Sequence, residues 1–352
     1  MKELEEAIDH LSSGKCPDAD CIPPEVIKSG KPALLQPLYD LLCLCWKEKE
    51  VPQSMRDSRI ITLFKNKGDR GDCNNYRGIS ILSIVGKVFA RVILVRLQAL
   101  AVRVYPESQC GFRSERSTID MVSAIRLLQE KCREQGQPLY AAFVDLTKAF
   151  DLVSRSGLSK VLQKVGCPPT LLSLIMSFHN NMKGTVVFNG ESSEPFSILS
   201  GVKQGCVLAP VLFNIYFSVL LNYAFRNSTD GVPFQSRTDG GLLNIRRFGA
   251  KTKLHHLLIR ELLFADDAAL VSHTFQGLQR LLDDLSKACT DFGLTISVKK
   301  TEVMTQNSPS DPTITVYNKI LKVVDDFKYL GSTVSKNLSL DKEINIRCSF
   351  MH

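Results

Sequence analysis

The chain has 352 residues, of which 44% are hydrophobic and 23% charged, and its formal net charge is +8. This composition can bury a large core, which excludes a disordered chain, a peptide and a single small module, and the length suggests about two lobes. No window holds the run of about 18 apolar residues that a membrane span needs, so we expect no membrane-spanning segment.

The N-terminal segment Met1–His10 is acidic and has helical periodicity, without the apolar stretch of a signal peptide. The eleven cysteines are an odd number and include no Cys-x-x-Cys pair. This usage is typical of reduced thiols and argues against structural zinc. We therefore expect an intracellular protein.

Basic residues concentrate in two blocks of the chain. The segment Arg56–Arg116 holds 12 basic and 5 acidic residues, whereas Met1–Met55 holds 6 and 10. A second block, Arg226–Arg260, holds 7 basic and 2 acidic residues and is rich in Gly, Ser, Thr and Asn, which predicts a long loop or ribbon. These blocks indicate an anionic partner more strongly than the total charge does.

Helical and extended periodicities alternate along the chain. Helices are predicted at Lys87–Val102, Thr118–Gln135, Leu158–Gly166, Pro169–Met182, Val207–Phe225 and Phe275–Phe292. Ser117 and Thr274 are suitable N-caps, and Gly293 is a suitable stop signal. Strands are predicted at Leu139–Asp145 and Thr185–Asn189, and Glu261–His273 has the pattern of a β-hairpin. This mixture predicts an α+β or mixed α/β fold with carboxylates at strand ends.

Two adjacent carboxylates, Asp266 and Asp267, occupy the turn of the predicted hairpin. Like charges side by side repel, and a divalent cation between them removes that cost. Oxygen-only ligands select Mg²⁺ over Zn²⁺. The alternative is a solvated turn, because Asp is favoured in turns.

Asp145 ends a predicted buried strand and would converge with Asp266 if the strands pair, although 121 residues separate them (266 − 145). Three carboxylates on adjoining strand ends are the ligand set of a two-metal site for phosphoryl transfer. Asp151 lies close by in sequence, and we interpret it as a helix cap before Ser154–Leu158 rather than as a metal ligand.

The segment Gly201–Cys206 is a glycine-bracketed polar turn that leads into an apolar helix. Glycines let the backbone approach a flat ligand, and Gln204 offers both a donor and an acceptor. A purely structural turn is the alternative.

Seven motifs, in order over about residues 14–335, resemble the reverse transcriptase of non-LTR (LINE-type) retrotransposons. They are Asn75-Tyr76-Arg77-Gly78-Ile79-Ser80, Gln109-Cys110-Gly111-Phe112-Arg113, Phe143–Asp151, Gly201–Pro210, Leu263–Asp267, Lys299-Lys300-Thr301 and Tyr329-Leu330-Gly331. The resemblance implies a right-hand polymerase with fingers and palm, an antiparallel palm sheet packed on helices, and a thumb that is absent or incomplete. The implied divisions are a fingers extension at residues 1–55, fingers at 56–135, palm at 136–335 and a tail at 336–352, with the reverse transcriptase domain at about 48–335.

The resemblance also implies roles for single residues. Asp145 and Asp266 would be direct ligands of two Mg²⁺ ions, with Mn²⁺ as a substitute, and Asp267 would be the supporting third carboxylate. Lys300 would donate a proton to the pyrophosphate leaving group. The implied primer grip is Tyr329, Leu330 and Gly331.

Five further residues would contact nucleotide or template. Lys65 and Arg77 would meet triphosphate charge, and Gln204 and Gly205 would lie against the template and the incoming nucleotide. Phe150 would exclude a ribose 2′-OH and so select deoxynucleotides, with a core phenylalanine as the alternative.

The chain departs from the family pattern near its start and in its extent. Asp18 and Cys21 replace two glycines that relatives commonly have, and a positive φ at either would strain the turn by about 1 kcal/mol or more. We expect that no endonuclease domain precedes Met1 and that no full thumb follows His352. We therefore expect a truncated or decaying copy, with an endonuclease or a full-length element protein acting in trans.

The leading hypothesis is an RNA-directed DNA polymerase core, a nucleotidyltransferase whose partners are an RNA template, a DNA primer and dNTPs. One alternative is a catalytically inactive nucleic-acid-binding remnant of such an element. Another is a globular protein with neither activity. The resemblance favours a nuclear location and leaves the cytoplasm open.

Overall fold

The computed structural model describes residues 1–18, 20–236 and 255–349, and it confirms the predicted α+β class. The helices are α1 (Lys2–Asp9), α2 (Pro24–Ser29), α3 (Lys31–Glu48), α4 (Gln53–Arg56), α5 (Ile84–Val104), α6 (Thr118–Glu134), α7 (Ala149–Leu152), α8 (Arg155–Lys164), α9 (Pro169–Ser177), α10 (Ala209–Phe225), α11 (Phe275–Asp291) and α12 (Asp341–Ser349). The strands are β1 (Ser58–Phe64), β2 (Tyr76–Ile81), β3 (Leu139–Val144), β4 (Lys183–Phe188), β5 (Glu191–Ser192), β6 (Phe196–Ser197), β7 (Val232–Ser236), β8 (His255–Ile259), β9 (Glu261–Phe264), β10 (Asp267–Ser272), β11 (Glu302–Gln306), β12 (Thr315–Val316), β13 (Lys319–Ile320), β14 (Lys322–Val323), β15 (Asp326–Tyr329) and β16 (Ser332–Ser335).

The chain forms two compact units, each built from two segments. The first unit combines Met1–Tyr105 with Lys148–Val219, and the second combines Pro106–Thr147 with Leu220–His352. The described helices include none that is long and apolar enough to cross a membrane.

The first unit contains a five-stranded sheet in which β1 pairs antiparallel with β2 and parallel with β4. Helix α5 is strongly apolar, and two of its arginines, Arg91 and Arg96, bind the N-terminal segment. Arg91 donates to the carbonyl of His10 (2.7 Å), and Arg96 pairs with Glu3 (2.8 Å). Two arginines of the early basic block, Arg56–Arg116, therefore bind the acidic N-terminal segment of the chain.

The second unit contains a five-stranded sheet in the order β14-β11-β3-β10-β9, antiparallel except for the β11–β14 pair. All six residues of the central strand β3 are buried, as its apolar run predicts. One face packs against α6 in a continuous apolar core. The other face contacts α11, where the Tyr140 and Phe275 rings lie 6.5 Å apart.

The predicted helix ends follow from their caps. Ser117 and Asp120 form a capping box at the start of α6, and the Thr274 side chain accepts a hydrogen bond from the Gly277 N–H at the start of α11. Gly293 has a φ of +76° just after α11. Helix α5 begins before its predicted start, at a cap that the periodicity did not reveal, Ser83.

Two predictions made from sequence need correction. Asp151 lies inside the short helix α7 and does not cap the next helix, because Ser154 accepts from the Gly157 N–H there. The helix predicted at Pro169–Met182 ends at Ser177, ahead of Asn181, whose φ of +51° is incompatible with a continuing helix.

The second basic block and the chain end extend past the described residues. Strands β7 and β8 pair antiparallel, as a ribbon would, while residues 237–254 between them lie outside the described residues. The tail predicted at 336–352 contains α12, and residues 350–352 lie outside the described residues, as does Ala19.

Candidate active site

Three aspartates lie at one end of the second unit's sheet. Strand β3 ends at Val144, directly before Asp145, and Val144 pairs with Ala268 of β10. One step further in the same antiparallel register places Asp267 opposite Asp145. Asp266 occupies the adjoining turn. The predicted pairing of these two strands is therefore present.

The turn between β9 and β10 has two residues, Ala265 and Asp266, because Phe264 pairs with Asp267. Ala265 has a φ of +56°. A positive φ at the first position is typical of the tight turns that connect hairpin strands, where glycine is preferred. Alanine at this position stores backbone strain next to the two carboxylates.

Lys300 lies against the carboxylates. Its Nζ is 3.0 Å from Oδ1 and 3.3 Å from Oδ2 of Asp145. The pKa of Asp267 is raised to about 6, first by desolvation and then by the charges of Asp266 and Asp145, with Lys300 opposing the rise. The site thus concentrates negative charge that one ammonium group balances in part.

The backbone around Asp145 is fixed by the segment that carries Lys300. The Asp145 N–H donates to Oγ1 of the buried Thr301 (3.3 Å), and the Asp145 carbonyl accepts from the Ser297 N–H (2.8 Å). The Thr147 N–H donates to the Thr295 carbonyl (2.8 Å). Thr301 was part of a recognised motif, but its contact with Asp145 spans 156 residues and has no local sequence signal.

The hairpin β15–β16 carries the predicted primer grip to the same site. A depression of about 360 Å³ is lined by Asp145, Asp267, Lys300 and the segment Phe327–Gly331. The Tyr329 hydroxyl donates to the Leu262 carbonyl of β9 (3.1 Å), which ties the hairpin to the sheet. Leu330 and Gly331 both have positive φ, +49° and +86°, as a tight two-residue turn requires.

The other predicted residues lie in the first unit. The Gln204 side chain donates to Oδ1 of Asp151 (3.3 Å), and the Gln204 carbonyl accepts from the Ser80 N–H (3.0 Å). Gly205 has a φ of +108°, and a Cβ there would lie 2.5 Å from the Ser80 carbonyl oxygen. Only glycine fits at this position, which favours a structural need for Gly205 whatever else it contacts.

Phe150 is half-buried, and its ring stacks on Phe213 with 4.6 Å between centroids. Its carbonyl accepts from the Val202 N–H (2.9 Å). The structure therefore contains the core contact that the alternative interpretation expects, and it also links Phe150 directly to the glycine-bracketed turn.

Lys65 and Arg77 lie on the β1–β2 hairpin and are exposed. The Lys65 Nζ donates to the Asn74 carbonyl (2.7 Å), and Arg77 pairs in register with Leu63. Both side chains are accessible to an anionic ligand.

Arg155 is a residue of this region that the sequence analysis missed. Its guanidinium donates to the carbonyls of His179 (2.5 Å), Ile198 (2.8 Å), Ser200 (3.1 Å) and Gly201 (3.1 Å). It thereby fixes the backbone that enters the glycine-bracketed turn. Since Gly201 lies 46 residues away in sequence, periodicity gives no sign of this contact.

The acidic site, formed by Asp145, Asp266 and Asp267, offers carboxylate donors for a metal ion. Within residues 1–18, 20–236 and 255–349, no three His, Cys, Asp or Glu side chains form a preassembled ligand cluster. Lys300 instead neutralises Asp145. The donor atoms of Asp145, Asp266 and Asp267 are all oxygens, which suits a hard divalent cation rather than zinc. Burial first, and then the charges of Asp266 and Asp145, raise the pKa of Asp267, and a cation there would relieve that repulsion.

Comparisons with known proteins fit this arrangement. A family model described as "Reverse transcriptase (RNA-dependent DNA polymerase)" matches residues 64–334. The RNA-directed DNA polymerase from the mobile element jockey of Drosophila melanogaster is 24% identical, over 99% of this chain and 37% of the relative. The Pol polyprotein of the type-1 retrotransposable element R2 of Bradysia coprophila is 27% identical, over 72% of this chain and 26% of the relative.

Solved structures show the same fold. Apo telomerase from Candida tropicalis, truncated from its C-terminal domain, aligns with a TM-score of 0.52 and 13% identity, over 85% of this chain and 58% of that structure. Telomerase from Candida albicans aligns with a TM-score of 0.52 and 15% identity, over 87% of this chain and 49% of that structure. The chain spans about a third of the length of the jockey relatives, with 37% and 36% covered.

Proposed function

The chain belongs to the reverse transcriptase family, and on this basis we propose that it is the RNA-directed DNA polymerase core of a non-LTR retrotransposon. The reaction would join a dNTP to the 3′-OH of a DNA primer on an RNA template. The observation that carries the proposal is the position of Asp145, Asp266 and Asp267 at one end of a single sheet, within family motifs.

The three carboxylates would hold two Mg²⁺ ions, with Mn²⁺ as a substitute. When bound, the ions would activate the primer hydroxyl and stabilise the charge that develops on the triphosphate. Asp145 and Asp266 are the proposed direct ligands. Asp267, whose pKa is raised first by burial and then by the charges of Asp266 and Asp145, would supply negative charge to the site once it is deprotonated.

Lys300 is the proposed proton donor to pyrophosphate. Its ammonium group is 3.0 Å from Asp145 and exposed, so it can turn to a phosphate when cations neutralise that carboxylate. Proton donation to the leaving oxygen would then assist the departure of pyrophosphate.

Residues of the first unit would position the nucleotide and template. Lys65 and Arg77 would contact the triphosphate, which their exposure supports. Gln204 and Gly205 would lie against the template and the nucleotide, and Phe150 would exclude a ribose 2′-OH. Tyr329, Leu330 and Gly331 of the second unit would hold the primer end. The nucleus is the proposed location, and an endonuclease or a full-length element protein is a proposed partner.

The test is extension of a labelled DNA primer on an RNA template by the purified chain with Mg²⁺ and dNTPs. We expect extension by wild type, and a loss of more than about 100-fold for Asp145→Asn and for the double variant Asp266→Ala/Asp267→Ala, because a metal ligand is removed. Asp325→Asn, at an exposed carboxylate outside the site, is the matched control and should retain activity.

Each outcome assigns the chain to one hypothesis. Unchanged extension by Asp145→Asn would show that the carboxylates are wrongly assigned. Binding of an RNA–DNA duplex without extension by wild type would favour the inactive remnant. A chain that neither binds nor extends would favour the globular protein without either activity.

A further inference from the structure

The motif Gln109–Arg113 has no role in the proposed reaction, yet it contacts the turn that carries the carboxylates. Gln109 is fully buried. Its Oε1 accepts from the Ala265 N–H (2.9 Å), and its Nε2 donates to the Ala265 carbonyl (3.3 Å). One side-chain amide therefore satisfies both backbone polar groups of the residue immediately before Asp266.

The same segment is attached to the outer edge of β9. The Cys110 N–H donates to the Leu263 carbonyl (2.9 Å), and the Leu263 N–H donates to the Ser108 carbonyl (3.0 Å). Gln109 Oε1 accepts a second bond, from the Gly111 N–H (2.8 Å). The side-chain amide of Gln109 is thus also fixed by a neighbouring residue of its own segment.

Close packing of Gly111 completes the contact. A Cβ at Gly111 would lie 2.1 Å from the Ala265 nitrogen, so no other residue fits without moving the turn. Ala265 itself has a left-handed φ of +56°, a conformation that an alanine keeps only when its surroundings impose it. Gln109 and Gly111 are those surroundings.

We propose that Gln109 is a positioning residue, which holds Ala265 in its left-handed conformation and thereby places Asp266 and Asp267 for cation binding. The inference deepens the proposed function and rests on it for the identity of the cation site. The competing explanation is that Gln109 is an ordinary buried amide that stabilises the fold and nothing more.

Strain at Ala265 provides a way to separate the two explanations. Glycine adopts a positive φ without the steric cost that alanine has. If Gln109 acts by imposing that φ, its removal should matter much less when residue 265 is glycine. If Gln109 only stabilises the fold, the two substitutions should act independently.

The experiment is a double-variant cycle of Gln109→Ala and Ala265→Gly in the full chain, with Mn²⁺ affinity measured by electron paramagnetic resonance. We expect Gln109→Ala to weaken Mn²⁺ binding about 10-fold, the size of effect that outer-shell partners of metal ligands have. In the Ala265→Gly background, we expect the loss to fall below about 3-fold. The Mg²⁺ concentration for half-maximal primer extension should shift in parallel.

Gln129→Ala is the matched control. Gln129 is also a buried glutamine of the second unit with a backbone partner, the Ser335 carbonyl (3.1 Å), but it does not contact the turn. It should lower the melting temperature without changing Mn²⁺ affinity. If Gln109→Ala does not fold, Gln109→Met keeps the side-chain length and gives the same comparison.

Two results would overturn the proposal. One is unchanged Mn²⁺ affinity in a folded Gln109 variant. The other is a loss of Mn²⁺ affinity from Gln109→Ala that is equally large with alanine and with glycine at position 265. Because Mn²⁺ binding needs no turnover, an inactive wild type would contradict the proposed function while leaving this comparison intact. Absence of Mn²⁺ binding by wild type would contradict both.

Discussion

Backbone strain is found at single residues in several of the recognised motifs. Phe112, Ala265 and Leu330 have φ values of +54°, +56° and +49°, although none of them is glycine. Non-glycine residues in this region carry a cost that surrounding contacts must offset, and such residues cluster at functional sites. Ala265 and Leu330 form the turns of the two hairpins at the acidic site, so part of the stability of the second unit is used to hold that site in shape.

Cys21 provides a simple test of such strain at a position far from the carboxylates in sequence. Cys21 and Asp18 are the two positions where a positive φ would strain the backbone. Cys21 has a φ of +53°, whereas Asp18 does not have a positive φ. We expect Cys21→Gly to stabilise the chain by about 0.5–1 kcal/mol, since relief of the left-handed conformation exceeds the entropy that glycine adds to the unfolded state. Chemical denaturation measures the difference.

Asp18→Gly is the control for this prediction, because it makes the same exchange at a negative φ. Asp18 is buried, so its replacement should give no gain or a loss. Equal stabilisation by both variants would show that the backbone conformation is not the cause.

At the scale of elements, α12 is attached to the β15–β16 hairpin by a carboxylate. Glu343 accepts from the Thr333 N–H (2.7 Å) and from Nε of Arg347 (2.6 Å). The backbone N–H of Thr333 is the main reason that the pKa of Glu343 is lowered to about 2, and Arg347 contributes further. The depressed pKa means that the folded state favours the charged form.

The pH dependence of this attachment follows from that shift. The stabilisation is complete above pH 4.5, the ordinary pKa of a glutamate, and it is lost as the pH falls towards about 2. Hydrogen exchange of the α12 amides, corrected for intrinsic rates, should therefore accelerate over this range. Glu343→Gln should give fast exchange already at neutral pH.

The control for α12 is Glu194→Gln, at an exposed glutamate of the first unit. It should leave exchange in α12 unchanged at every pH. Protection of α12 that persists in Glu343→Gln would show that apolar packing, rather than the carboxylate, holds the helix.

Local signals predicted the elements well and their distant contacts poorly. The β3 run, the Asp-containing hairpin and the caps Ser117 and Thr274 follow from periodicity and from side chains that bond a few residues away. The contact of Gln109 with Ala265 spans 156 residues, and no pattern within a segment encodes it. Asp151 shows that local signals can also mislead. Its residue type suits a helix cap, but Ser154, three residues later, is the residue that caps the helix.

Across the whole molecule, only part of the basic surplus is available to a partner. Of the early basic block, Arg56 pairs with Glu50, Arg96 with Glu3, and Arg113 with Glu107. Each of these arginines is thus already paired within its own unit. The exposed Lys65 and Arg77 remain the better candidates for phosphate contacts.

The salt dependence of duplex binding tests this assignment. Each neutralised phosphate releases counterions, so affinity for an RNA–DNA duplex should fall as salt rises. We expect Lys65→Ala and Arg77→Ala each to reduce the slope of log K against log salt by about 1. Fluorescence anisotropy over a salt series measures the slope.

Lys2→Ala is the matched control, since Lys2 is 89% exposed in the acidic N-terminal segment. Its slope should equal that of wild type. An equal change for Lys2 and Lys65 would mean that total charge, rather than a defined surface, attracts the duplex.

The central position of β3 also determines what happens while the chain is being made. Both strands that flank it, β10 and β11, come later in the sequence, and 123 residues separate Val144 from Asp267 (267 − 144). At about 5–20 residues per second, β3 waits on the order of ten seconds after its own synthesis before the first of them exists. Through that interval the nascent polypeptide has an apolar segment with both edges open to pairing with other chains. Chaperones that cover this segment during synthesis would therefore protect the nascent chain from such pairing.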